Sequence, residues 1–408
     1  MMEIKSLKLR KAYKFRLKAK PNQLALFQQQ AGCCRFVWNK ALALQKERLD
    51  GGEKVLRHVD LCKLLTGWKR EEGTVFLADA QSQTLQQTLK FLDQAIREAF
   101  DKKNPKRFPV FKKKGLAGDS FRYPQGFKLD GDRIFLPKIG WVRFIKSREI
   151  KGVPRNITVS RRGEHWYVSI QTEREIAEPV HPATSTIGID LGVARFATLS
   201  DGSFLEPLNS FRRIEKRLAK EQRKLSRKVK FSANWQKQKA KITKLHIRIA
   251  DVRHDFLHKA SATISKNHAI VVLEDLRIRN MSASAKGTLE LPGRNVRAKA
   301  GLNKSILDQG WYEFRCQLEY KQAWRGGVVI AIPPQYTSQT CPACGSISPE
   351  NRKTQSRFAC ACGYRNHADH VAAINILAAG LAVSACGEPV LSGRFVKQEP
   401  TEEVRHAA

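Results

Sequence analysis

The stretch TIGIDLGVARFATLS, residues 186–200, reads as strand, glycine-containing turn and strand, with a carboxylate, Asp190, set in the first apolar run. Burying a carboxylate in an apolar strand is costly unless a partner or a metal meets it. Two further acids stand in similar settings. Residues 268–274, HAIVVLE, form a buried-strand run ending in Glu274, and Asp369 opens an apolar helix that follows a cysteine-rich segment. Three such acids brought together would repel one another, and divalent cations relieve that repulsion. Hard oxygen ligands of this kind suit Mg²⁺ or Mn²⁺. A pair of these ions can generate hydroxide and stabilise both the attacking and the leaving oxygen of a phosphodiester. Read singly, each acid is more often a salt-bridge partner or a cap, and Asp369 in particular fits an N-cap.

Just ahead of Asp369 lie CPACG, residues 341–345, and CACG, residues 360–363. Each second cysteine is followed by glycine, which permits a tight turn with backbone N–H groups facing thiolate sulfur. Cys341, Cys344, Cys360 and Cys362 are therefore expected to bind Zn²⁺ in a ribbon over residues 337–365. Four sulfur ligands leave no open position, so the metal's role is structural. The segment is too short to build a core alone, and zinc binding on the order of 10–16 kcal/mol can stand in for one. The second knuckle is C-x-C where C-x-x-C is usual. The other five of the nine cysteines (Cys33, Cys34, Cys62, Cys316 and Cys386) show no ligand spacing, which points to a reducing compartment and a metal rather than a disulfide framework.

Lys and Arg outnumber Asp and Glu by 74 to 38 in 408 residues, a net charge of +36. A compact body with that excess repels itself, so the sequence implies a polyanionic partner. The opening, MMEIKSLKLRKAYKF, lacks an apolar core of signal-peptide length, and no stretch approaches the roughly 20 apolar residues of a membrane span.

The periodicity predicts a short strand at 12–17, then helices at 23–50, 56–68 and 77–100. Residues 101–175 alternate in short runs, as a small β-barrel or strongly bent sheet would. The expected division is a β module over 1–180 with a helical insertion at about 21–105, then a second domain over 183–380. A weakly ordered tail is expected at 381–408. Within the second domain, residues 209–260 predict a basic helical hairpin with Ile242, Leu245, Ile249, Val252 and Phe256 along its seam. Arg212, Arg213, Lys216, Arg217, Lys220, Arg223, Lys224, Arg227 and Lys228 line its polar face. Such a run is often only a solvated face, but few acids balance this one, and phosphate contact is expected. Further helices are predicted at 306–324 and 369–380, with a strand at 328–332.

GIDLGV at 188–193, LEDL at 273–276, TSQTCPACG at 337–345, FACACG at 358–363 and ADHVAAINI at 368–376 together resemble the TnpB (OrfB) proteins of bacterial insertion sequences. The segments YKFRL at 13–17, RFVWN at 35–39, FPVFKK at 108–113, RHDFLHK at 253–259 and GWYEF at 310–314 extend the likeness over roughly residues 10–380. The resemblance implies an RNA-guided DNA endonuclease related to type V CRISPR effectors, a multi-domain α+β protein. Its parts would be an N-terminal β-barrel wedge with a helical recognition insertion, then a RuvC-like nuclease domain of RNase H type carrying an inserted zinc ribbon. It places the Mg²⁺ ligands on Asp190, Glu274 and Asp369. Its implied partners are a guide RNA derived from the transposon end and a double-stranded DNA target beside a short motif. The implied protein is a monomer without a membrane association, cytoplasmic and at the nucleoid of a bacterium or archaeon. Gln86 aligns with a motif-reading position. Val371 stands where many relatives have Asn, which suggests a polar side chain lost near the metals.

Overall fold

The computed structural model describes residues 6–103, 106–114 and 119–385, so Cys386 and residues 386–408 of the expected tail lie outside the described residues. The chain divides into two compact units after Ala177.

The first unit opens with β1 (Ser6–Lys18), followed by α1 (Pro21–Asp50), α2 (His58–Trp68), a 3-10 turn (Glu72–Ala78) and α3 (Ser82–Ala99). The helix expected from 77 starts later because residues 72–78 wind as that turn. Strands β2 (Ser120–Tyr123), β3 (Lys128–Asp130), β4 (Arg133–Leu136), β5 (Gly140–Phe144), β6 (Val153–Arg162) and β7 (His165–Ala177) complete it. They form one seven-stranded sheet in the order β2-β6-β7-β1-β5-β4-β3. The long β1 serves two partners, pairing with β7 over residues 6–16 and with β5 at Leu17 and Lys18. Among the described residues the order is open, with β2 and β3 as edges, where a closed barrel was expected. The alternation in β6 and β7 places Ile157, Val159, Trp166, Val168 and Ile170 on one buried face. Helix α1 lays Phe27 on that face, with ring centroids 5.2 Å from Trp166 and 6.1 Å from Phe121.

The second unit contains β8 (Thr186–Asp190), β9 (Ala197–Leu199), β10 (Phe204–Leu205), α4 (Ser210–Ser226), α5 (Ala233–Asn267) and β11 (Ile270–Glu274). A short α6 (Ile278–Met281), α7 (Val296–Gln309), α8 (Trp311–Arg325) and β12 (Val328–Ile332) follow. The ribbon strands β13 (Arg357–Ala359) and β14 (Arg365–His367) then lead into α9 (Ala368–Ala385). Its main sheet runs β10-β9-β8-β11-β12, with β8, β11 and β12 parallel and β9 and β10 antiparallel. Ile187, Ile189, Val271 and Leu273 face α5 and α8, where Leu257, Phe314 and Leu318 are fully buried. Val272, Ile330 and Ile332 face Ile376 of α9. Helices thus cover both faces of a mixed sheet whose central strands β8 and β11 are mainly apolar and end in a carboxylate.

Three details depart from the sequence reading. The single helix expected at 306–324 is two, because Gly310 takes a left-handed backbone (φ 75°) that ends α7 and caps α8. Helix α9 runs through Gly380 to Ala385, so residues 381–385 are helical rather than tail. At Gly380 a Cβ would sit 2.4 Å from both Val272 methyls, so the glycine serves packing and not termination. In the hairpin, Leu218 packs with Ile242 and Leu245. Val252 is exposed instead, and Phe256 leaves the seam to meet Phe196 edge-on at 5.0 Å.

Candidate active site and metal centre

Strands β8 and β11 run in parallel register, Leu273 opposite Ile189, so Asp190 and Glu274 end adjacent strands at the same carboxyl edge of the sheet. In open sheets of this kind the carboxyl edge is where ligands bind. Asp369 reaches the same edge from the first turn of α9. The approach depends on Gly188: a Cβ there would lie 2.4 Å from the Ala373 carbonyl oxygen and 2.7 Å from the Leu377 nitrogen. Helix α9 therefore rests on the bare backbone of β8, two residues before Asp190.

Burial pushes the Asp190 carboxyl up to about 7, and the charges of Glu274 and Asp369 push it the same way. The Arg352 guanidinium and the Leu191 backbone N–H oppose that shift. Burial also raises Glu274, against the Thr337 hydroxyl, which donates to Glu274 Oε1 at 2.7 Å, and against Arg352. Arg352 Nη2 lies 3.4 Å from Asp369 Oδ1, and His367 Nδ1 is 3.8 Å from Asp369 Oδ2. Both Thr337 and Arg352 come from the cysteine-bearing segment. Asn375, further along α9 than Asp369, donates to the carbonyls of Thr337 and Thr340 at 2.8 and 2.7 Å and ties that segment to α9. The sequence reading assigned no role to Arg352, Thr337 or Asn375, since single polar residues carry no spacing signal.

The four cysteine sulfurs all lie within 4.8 Å of one another, the one group of that kind among the described residues. Cys341 and Cys362 are 3.6 Å apart, as are Cys344 and Cys360. A tetrahedron with Zn–S bonds of about 2.3 Å has edges of about 3.8 Å, so the set fits a zinc ion. Gly345 and Gly363 take left-handed backbones, φ 73° and 92°. Burial pushes the Cys341 thiol up, but the backbone N–H groups of Cys344 and Ala343 and the neighbouring thiols bring it down to about 7. Under the cluster, Phe358, Ala368 and Val371 form a small apolar core with Cys341 and Cys360. Val371 is fully buried in that core with the cysteines.

On α4, Arg212, Arg213, Lys216, Arg217, Lys220, Arg223 and Lys224 are exposed, as is Arg227 at its C-cap, while Lys228 is half-buried. Lys224 pairs with Glu221 at 3.3 Å. Gln86 is exposed on α3, its carbonyl 3.1 Å from His58 Nε2. Its neighbour Gln87 instead lines a groove of about 180 Å³ with Thr88, Phe91, Lys112 and Arg122.

A model of IS605-type OrfB proteins, described as "Probable transposase", matches residues 167–285, and a Cas12f1-like TNB domain model matches 311–376. A protein of Escherichia coli (strain K12), provisionally named RNA-guided DNA endonuclease InsQ, is 55% identical over 97% of this chain and 99% of its own length. The chain belongs to the TnpB (OrfB) family. Another relative, from Streptomyces pristinaespiralis and also provisionally named RNA-guided DNA endonuclease, is 34% identical over 96% of each chain. Among solved structures, the Cas12f1 protein of a Cas12f1–sgRNA–target DNA complex superposes with a TM-score of 0.51 over 90% of this TnpB-family chain and 98% of its own. At 12% identity that likeness concerns the fold. A "Helix-turn-helix domain" model also matches residues 8–54. There the chain forms β1 and the unbroken 30-residue α1, so the label does not describe its structure.

Proposed function

We propose that this chain is an RNA-guided DNA endonuclease of an insertion sequence, cutting double-stranded DNA that matches a bound guide RNA beside a short motif. The observation that carries the reading is the meeting of Asp190, Glu274 and Asp369 at one sheet edge, where burial, with the charges of Glu274 and Asp369 added to it, raises Asp190 to about 7. A carboxylate cluster of that kind is unfavourable in the empty chain and favourable with divalent cations.

The mixed sheet with α9 against β8 is read as a RuvC-like, RNase H-type core, and Asp190, Glu274 and Asp369 as its Mg²⁺ or Mn²⁺ ligands. Bound there, divalent cations would supply an activated water and neutralise charge on the leaving oxygen. Thr337 orients Glu274 by its hydrogen bond. Arg352 holds Asp369 and lends positive charge beside the scissile phosphate. The cysteine cluster is read as a structural zinc site that positions Thr337 and Arg352. The first unit, read as the wedge with α1–α3 as its recognition insertion, holds the guide RNA and reads the motif, with Gln86 among the reading residues. Base pairing reads the target while basic residues of α4 and of the turn after it, from Arg212 to Lys228, hold backbone phosphates. The protein acts as a monomer in the cytoplasm, with a guide transcribed from the transposon end. Among the described residues no helix is long and apolar enough to cross a membrane.

The test is cleavage of a matched duplex by RNA-loaded protein with Mg²⁺. Wild type should yield cut ends, and D190A should bind RNA and target without cutting. A D190A protein that still cleaves would sink the assignment. An intact wild-type target would favour a guided DNA binder, and joined rather than cut DNA would favour strand transfer.

A further inference from the structure

The turn between α4 and α5 presents aromatic surface where a solvated helical hairpin needs none. Phe231 is 67% exposed and Val229 79% exposed. The Phe231 backbone is left-handed, φ 69°, a conformation that bulky residues rarely adopt and that clusters where function requires it. Local bonds hold it there: Ser232 Oγ accepts from the Trp235 backbone N–H at 3.2 Å, and Gln236 Nε2 donates to the Phe231 carbonyl at 3.0 Å. The strained turn keeps the ring outside, with its centroid 5.4 Å from that of Trp235. Lys230 Nζ lies 5.3 Å over Phe231, and Lys239 Nζ lies 5.0 Å over Trp235.

We propose that this tip is a stacking platform for unpaired bases of the RNA the chain carries, which extends the functional reading above. Rings flanked by cations are the recognition elements for single-stranded nucleic acid: the ring takes a base face, and the ammonium takes the adjoining phosphate. A protein partner would favour a continuous apolar patch, whereas here each ring has an ammonium above it. RNA fits better than a displaced DNA strand. A folded RNA offers splayed loop bases throughout the life of the complex, and these are what proteins stack on aromatic rings. A displaced strand exists only after a target has opened.

The experiment uses full-length protein and three labelled probes at one salt concentration: an RNA stem–loop, the same stem as a blunt duplex, and a DNA strand of the loop sequence. F231A and F231L should weaken stem–loop binding roughly tenfold, with the salt dependence unchanged because no phosphate contact is lost. F231W should restore it. Stem–loop binding should quench a tryptophan signal that W235F lacks. Wild-type affinity in F231L, an equal loss on the blunt duplex, or a quench by DNA but not RNA would overturn the proposal. A wild-type chain that binds none of the probes would overturn the functional reading with it.

Discussion

The cysteine cluster and the carboxylate cluster are both metal-competent, yet they are assembled in opposite ways. The cysteines come from two knuckles within one short segment, and their sulfurs already stand at tetrahedral spacing. The carboxylates come from β8, β11 and α9, with well over a hundred residues between the first and the last. They do not gather to the spacing of the cysteines, and Arg352 supplies positive charge among them. Soft thiolates beside backbone N–H groups tolerate closeness before the metal arrives. Ionised oxygens in a buried edge do not. A local site can preform, while a site spanning elements depends on everything that sets those elements against each other.

The sharpest break of that comparison is to remove one ligand from each. D190A should take cleavage to background while leaving thermal unfolding and RNA binding near wild type, because an unfavourable buried charge is removed. C341S should also impair cleavage, but by a different route. The ribbon would lose a metal whose binding is worth on the order of 10–16 kcal/mol, and Thr337 and Arg352 would lose their anchorage. Metal analysis and thermal melts separate the two: zinc content should fall only in C341S. Full cleavage by a zinc-free C341S protein would show the ribbon to be dispensable.

G188A sharpens the dependence on element packing. The added methyl meets the Ala373 carbonyl at 2.4 Å, so α9 must lift from β8 and carry Asp369 with it. A loss of about 1–3 kcal/mol in stability is expected from overpacking, with cleavage falling further than the melt alone explains. Unchanged cleavage would mean that α9 does not set the position of Asp369.

This division of labour also explains what could be read from sequence. The cysteine ligands announce themselves because their spacing is local. Asp190 and Glu274 were legible because acids at the ends of apolar strands are rare, and Asp369 because it opens a helix after the knuckles. The parallel pairing of β8 with β11 was not legible, since neither strand encodes its neighbour. The open edges of the first sheet were not legible either, because alternation fixes which face is buried but not whether β2 meets β3. Val371, which the resemblance set at a position where relatives have Asn, shows how little an aligned position says about packing. Two residues from Asp369, it packs in the small core with the cysteines.

The smallest effect expected concerns Arg352. Asp190 titrates near 7 in the folded chain against an ordinary 3.8. Between those values the folded state therefore binds more protons than the unfolded state, and stability falls as pH rises through this window when no divalent cation is added. Added Mg²⁺ should flatten the fall in zinc-loaded protein. Cleavage should rise over the upper part of the same window, because ionised Asp190 is needed to hold the cation. Arg352 opposes the raised values of both Asp190 and Glu274, so R352A should move the cleavage profile to higher pH and steepen the loss of stability. R352K should lie between, since it keeps the charge but not the planar fork. The profile, rather than the rate at one pH, is the deciding measurement. If R352A merely scaled the rate at every pH, Arg352 would be acting on the substrate phosphate and not through the carboxylates.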